Sequence, residues 1–321
     1  MKISAWEPWL ERLWQGDKRA AAKLISQVED NQGRVEIMCR ILPRTGQRMV
    51  LGITGPPGAG KSSLVGALTQ LYREQHDKVG IVAVDPSSPY SGGAILGDRI
   101  RMQSHGTDPG VFIRSMGTRG HLGGVARFTT DVLKILEAAG YERLLLETVG
   151  VGQSELEIME CANTVLLVLN PGTGDGIQAI KAGIMEIADI FVVNKADLPG
   201  AERLKNDIEM VLDLNGKKAW RAPVVMTSTL EQRGLNELRD HIARHQTFLT
   251  ESGKCRQRRH NAFTQEVWRH WEAIARQAFA AAWQDLPRSE GDDLEPGNPY
   301  TLAEEIWASI VSGRFTDRSA P

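Results

Sequence analysis

Cysteine is scarce in this 321-residue sequence, and long apolar runs and an excess of one charge are missing from it; each excludes something. Cys39, Cys161 and Cys255 are far apart, odd in number and form no CxxC pair, so neither a disulfide framework nor a zinc site is indicated. No stretch approaches the roughly 18 apolar residues of a membrane-spanning helix. The opening stretch, Met1–Leu24, is interrupted early by acids and has no unbroken apolar core, so it does not read as a secretory signal. A formal charge of −2 gives no drive toward DNA or an acidic bilayer. No nucleic-acid or membrane partner is therefore expected, and the expected compartment is the cytoplasm. Aromatic residues make up only 6%, and seven of the eight tryptophans fall near the two ends: Trp6, Trp9, Trp14, Trp268, Trp271, Trp283 and Trp307. Two readings stay open for them, packing of flanking helices onto the core and a subunit or partner interface.

What is present is an alternation. Short apolar runs at Met49–Ile53, Val79–Val84, Val111–Ile113, Leu144–Leu146, Val165–Leu169, Ile190–Val193 and Val224–Met226 are separated by amphipathic stretches. Continuous Val/Ile/Leu runs of this kind predict a mainly parallel α/β sheet buried on both faces. The expected layout is an N-terminal helical extension over 1–45, a nucleotide-binding domain over 46–245 and a C-terminal helical segment over 246–321. In the first zone Trp6, Trp9, Leu10, Leu13 and Trp14 share one helix face, and a second helical pattern runs from about Ala20 to Ile41. In the last zone a basic stretch, Gly253–His260, precedes a helix from about Ala262 to Trp283, a Pro/Gly/acid-rich loop over Pro287–Pro299, and a short helix over about Thr301–Ser312.

The segment Gly55-Pro56-Pro57-Gly58-Ala59-Gly60-Lys61-Ser62 matches GxxxxGK[ST] and sits between a strand and a helical run beginning at Ser63. That context predicts a P-loop NTPase, with backbone N–H groups and a helix N-terminus cradling phosphates. Lys61 is expected to reach the outer phosphates and Ser62 to coordinate Mg²⁺. Ser63 and Gly150 are counted with the nucleotide-binding positions. Farther on, Asn194-Lys195-Ala196-Asp197 places NKxD at a strand end. The Asp197 carboxylate can accept from the N1–H and 2-amino group of guanine; adenine lacks both donors and would leave it unpaired. Asn194 can support the ring edge, the Lys195 stem can cover the base face, and Thr227-Ser228-Thr229 can offer N–H groups to the guanine oxygen.

Three acids lie between these anchors: Asp85 at a strand end, Asp98 in a Gly-rich loop, and Glu147 in Glu147-Thr148-Val149-Gly150, where the best-known GTP switches carry the shorter aspartate. Together with Ser62 they can gather around one hard cation bridging the outer phosphates; the alternative is that one of the three, Asp98 foremost, caps a helix or turn instead. No side chain reads as a general base for water, so slow hydrolysis is expected from the chain alone.

The strings GPPGAGKSS, VDPSSPYSGGAILGDRIRM, GHLGG, ETVGVGQSE and NKADL resemble the ArgK/MeaB family of GTPases, in the SIMIBI class of P-loop proteins. The resemblance covers most of 48–245, and the flanks match mainly in layout. It implies a homodimer with a C-terminal dimerisation arm. It also implies a GTP-hydrolysing chaperone that gates cofactor loading of an adenosylcobalamin-dependent acyl-CoA mutase, chiefly methylmalonyl-CoA mutase, and protects or reactivates it. By this resemblance Lys61, Asp98 and Glu147 serve hydrolysis of GTP to GDP with Mg²⁺. Lys181, in the string Gly172–Gly183 that resembles the family's third switch, acts when the mutase is bound. Two other readings differ in what they require. A metallochaperone GTPase for another metal centre needs Cys/His clusters near the switches, where Cys161 and His121 stand alone in the sequence. A GTP-dependent small-molecule kinase needs an acceptor pocket with a base, and none is signalled.

Overall fold

The computed structural model describes residues 5–85, 106–117, 124–148, 154–172, 187–214, 216, 219–284 and 298–312. All seven apolar runs are strands: β1 (Val50–Thr54), β2 (Val79–Asp85), β3 (Val111–Gly117), β4 (Arg143–Thr148), β5 (Thr164–Leu169), β6 (Ile190–Asn194) and β7 (Val224–Thr227). They form one parallel sheet in the order β3-β2-β4-β1-β5-β6-β7. The fold is therefore the expected α/β P-loop architecture. The alternation of side chains explains why Leu144-Leu145-Leu146 can be apolar throughout: Leu144 and Leu146 join the core on one face, Leu145 the core on the other. Each such leucine is about 1% exposed, and burying it contributes about 1.5–3 kcal/mol.

Ten α-helices are seen among the described residues: α1 (Glu7–Trp14), α2 (Lys18–Glu29), α3 (Arg34–Ile41), α4 (Lys61–Glu74), α5 (Gly124–Ala138), α6 (Ser154–Cys161), α7 (Ala201–Leu214), α8 (Leu235–Glu251), α9 (Lys254–Gln284) and α10 (Pro299–Val311). Residues of α4 and α8 (Leu64, Val65, Leu68, Leu238, Ile242) share one core with Leu51, Ile53, Leu145 and Val168. On the other face the core takes in α1, α2, α3 and α5, through Leu13, Leu24, Ile25, Ile37, Ile135 and Leu136.

Two sequence expectations change in detail. The single helical pattern from about Ala20 to Ile41 is two helices, because Asn31 (φ 56°) and Gly33 (φ 63°) turn the chain through left-handed backbone between them. The basic stretch after Gly253 is not a lead-in: α9 begins at Lys254, since lysine and arginine are good helix formers. One compact unit of the chain ends at Arg259 and a second begins at His260. Within the second, Trp268 and Trp271 lie with ring centroids 4.9 Å apart, Phe279 stacks on Trp283, and all four remain exposed. The expected loop at 287–299 lies largely outside the described residues.

Candidate nucleotide site

β1 lies between β4 and β5, and the connection from β1 to β2 runs one way along the sheet while that from β4 to β5 runs the other, so the direction switches at the carboxyl ends of β1 and β4. In open α/β sheets such a switch is where ligands bind. The P-loop connects β1 to α4 at this point. Two of its three glycines, Gly55 and Gly60, are demanded by neighbours as well as by φ. A Cβ on Gly55 (φ 143°) would lie 2.1 Å from the Val168 carbonyl oxygen in β5, and one on Gly60 (φ 90°) 2.3 Å from Asn194 Nδ2.

Lys61 is buried, and its Nζ donates to the Gly55 and Pro56 carbonyls at 2.7 and 2.9 Å. These bonds curl the loop around the ammonium and hold it over the loop's concave side. Ser62, one residue into α4, donates its hydroxyl to Glu147 Oε1 at 2.6 Å. Glu147 sits on β4 directly opposite Ile53 of β1, and the next residue, Thr148, donates to Thr54 Oγ1 at 3.1 Å. The sheet register thus carries the longer acid to the serine at the mouth of the P-loop. A hydroxyl and a buried carboxylate side by side are hard oxygen donors, and this pair fits Mg²⁺. Of the other acids assigned to the metal, Asp85 ends β2, two strands from β1, and its side chain lies outside the described residues, as do Asp98, Gly150 and Lys181. Ser63 is exposed.

The residues expected to meet the base come together at the ends of β6 and β7. Asn194 is fully buried, and its amide is turned to the P-loop rather than to solvent: Nδ2 donates to the Ala59 carbonyl at 2.9 Å, and Oδ1 accepts from Thr227 Oγ1 at 3.2 Å. It braces the phosphate loop against the base loop, a contact that spacing alone did not reveal. Lys195 adopts φ 56°, left-handed backbone that is costly for a residue with a Cβ. Asp197 is exposed, and Ser228 Oγ donates to its Oδ1 at 2.6 Å. That hydroxyl, ahead of the neighbouring backbone N–H, Arg233 and Lys195, holds the carboxyl below the usual aspartate range. Thr229 is half-buried. Two groups were missed from sequence: the Ser228 side chain, read there only for its N–H, and Arg233, which no motif marks.

Comparison with known proteins shows the family. A family model described as "Methylmalonyl Co-A mutase-associated GTPase MeaB" matches residues 21–283. A putative GTPase of Pyrococcus horikoshii is 51% identical over 311 residues, covering 94% of this chain and 97% of its own length. GTPase ArgK of Escherichia coli is 37% identical over 258 residues, covering 77% of this chain and 78% of its own. The mitochondrial methylmalonic aciduria type A homolog of Mus musculus is 36% identical over 223 residues, covering 68% of this chain and 54% of its own. Among solved structures, one titled as an LAO/AO transport system kinase superposes with a TM-score of 0.70 at 26% identity, covering 97% of this chain and 99% of that one. With a matched strand–P-loop–helix, an NKxD loop on the adjoining strands and these relatives, the chain belongs to the ArgK/MeaB family of GTPases.

Proposed function

We propose that the chain hydrolyses GTP to GDP and phosphate, and uses that cycle to gate cofactor loading of an adenosylcobalamin-dependent acyl-CoA mutase and to protect or reactivate the loaded enzyme. The observation that carries the nucleotide half is the convergence at one sheet edge of Lys61, the Ser62–Glu147 pair at 2.6 Å and the Asp197–Ser228 pair at 2.6 Å. The family described as mutase-associated supports the client.

In this reading Gly55 to Ser63 and Gly150 hold the phosphates, and Asn194, Lys195, Asp197 and Thr227 to Thr229 hold the base. Mg²⁺, held by Ser62 and Glu147 with Asp85 and Asp98, would neutralise charge on the outer phosphates. Lys61 stabilises charge on the transferring phosphoryl group. With no evident general base, turnover by the chain alone is slow, and the bound mutase raises it through Lys181. The GTP and GDP forms must then bind the mutase unequally, since a ligand shifts a partner only by differential affinity. We assign the exposed Trp268, Trp271, Phe279 and Trp283 of the second unit to homodimerisation, and the cytoplasm as the compartment.

Phosphate release from GTP, measured without any small-molecule acceptor and with or without purified methylmalonyl-CoA mutase, tests the proposal. Release that rises with the mutase is the expected result; GTP consumption only alongside a phosphorylated small molecule would refute it. Lys181→Ala is expected to leave release by the chain alone within about twofold and to remove most of the mutase stimulation. Asp197→Asn replaces an acceptor with a donor that faces the guanine N–H groups. GDP affinity is expected to fall roughly ten- to a hundredfold. Competition between GDP and ADP for the site reads this out, and an unchanged preference would remove Asp197 from base recognition.

A further inference from the structure

Arg233 lies outside every recognised motif, yet it ties the base-reading turn together. Lys195 occupies left-handed backbone, a strained conformation for a residue with a Cβ that persists only where surrounding contacts hold it. Four cross-loop bonds do so. Ala196 N donates to the Thr227 carbonyl at 2.9 Å. Thr227 Oγ1 donates to Asn194 Oδ1, and Ser228 Oγ to Asp197 Oδ1. Finally, Arg233 Nη2 donates to the Ala196 carbonyl at 3.0 Å.

The last bond differs in what it controls. The Ala196 carbonyl belongs to the peptide unit that supplies the N–H of Asp197. Holding that peptide plane sets the direction in which the Asp197 side chain leaves the backbone. Arg233 is itself held in place. Its N–H and carbonyl pair with the carbonyl and N–H of Ser228, both at 3.0 Å, and it is flanked by left-handed Gln232 (φ 52°) and Gly234 (φ 75°). Gly234 cannot be exchanged freely, because a Cβ there would lie 2.0 Å from the Met226 carbonyl oxygen. The same residue thus grips Ser228, whose hydroxyl holds Asp197 Oδ1, and the peptide entering Asp197. The Ser228 pairing uses backbone and is open to any residue; the Ala196 bond needs a side chain with this reach and a planar, multiply donating head.

We infer that Arg233 is a positioning residue for guanine: its guanidinium fixes the Ala196–Asp197 peptide and with it the alignment of the Asp197 carboxylate on the two N–H donors of the base. This rests on the assignment of 194–197 to guanine recognition. The sharpest probe is the affinity ratio of GDP to inosine diphosphate, which lacks the 2-amino group and so reports the second of the two bonds. Both nucleotides should be measured by titration against the full chain, with the wild type, Arg233→Met and Arg233→Lys. Arg233→Met keeps the apolar stem and removes the donors. It is expected to weaken GDP about three- to tenfold, to shrink the GDP:IDP ratio by a similar factor, and to leave the melting midpoint within about 1 °C, because the bond is exposed. Arg233→Lys, which keeps a charged donor, recovers part of the ratio. Equal loss of GDP and IDP affinity in Arg233→Met, or a ratio identical to wild type, overturns the inference while leaving the guanine assignment intact. Wild-type protein with no preference for GDP over ADP overturns the guanine assignment itself.

Discussion

Lys61→Ala is expected to lower GTP turnover at least about a hundredfold, the order lost when one preorganised charge stabiliser is removed. Two effects combine. The first is loss of the only P-loop side chain that carries positive charge to the phosphates. The second is structural: Lys61 Nζ bonds the Gly55 and Pro56 carbonyls, so its removal frees the turn that aims the loop's N–H groups. Single-turnover phosphate release and titration with a fluorescent GDP derivative separate the effects. Lost turnover with near-normal GDP binding points to charge stabilisation, and lost binding points to the loop. Turnover within a few-fold of wild type would remove Lys61 from the chemistry. Lys61→Arg is not expected to rescue, because a larger planar head does not fit a buried position sized for an ammonium.

The second large effect concerns stability and lies at the opposite end of the sheet. Asp189, just before β6, accepts from Val165 N at 2.9 Å and from both Arg258 Nη atoms, at 3.2 and 2.9 Å. His245 Nε2 stands 3.3 Å away, while its Nδ1 meets the Thr164 hydroxyl at 3.0 Å. Burial alone raises the carboxyl, but the hydrogen bonds from His245 and Arg258 outweigh it, and the group sits below the usual aspartate range. Removing the carboxylate takes an acceptor from the Val165 N–H and from buried His245, while Arg258, 40% exposed, can turn to water. Asp189→Ala is therefore expected to cost about 1–3 kcal/mol, or roughly 5 °C in the melting midpoint. The sign with pH follows from the lowered carboxyl. Its stabilisation is present above the ordinary aspartate pKa and fades as acid protonates it in the folded state. The wild-type and Asp189→Ala curves of stability against pH should therefore converge at low pH. Parallel curves would show that the ionised carboxylate is not the source.

The two sites differ in how far they were legible. The P-loop and NKxD are local strings, so eight and four neighbouring residues were enough to carry the phosphate and guanine readings. Glu147 was legible because a strand pattern ran straight into it, and parallel pairing with β1 leaves its neighbourhood little choice. The Asp189 network was not. It joins residues 163–165, 189, 245 and 258, and nothing in a single histidine or arginine signals a partner 69 residues away. Asn194 was legible as part of a motif but not in its contact, since its amide turns to Ala59, 135 positions earlier in the chain.

By itself the sequence determined the strands, the parallel α/β class and the family-bearing strings, because apolar period, glycine content and motif spacing act over a few residues. Only the tertiary structure decided what Asn194, Ser228 and Arg233 hold, why Gly55 and Gly60 tolerate no side chain, and which polar groups face Asp189. Those outcomes depend on how close separate strands and loops come once the sheet is assembled, a distance that no local pattern encodes.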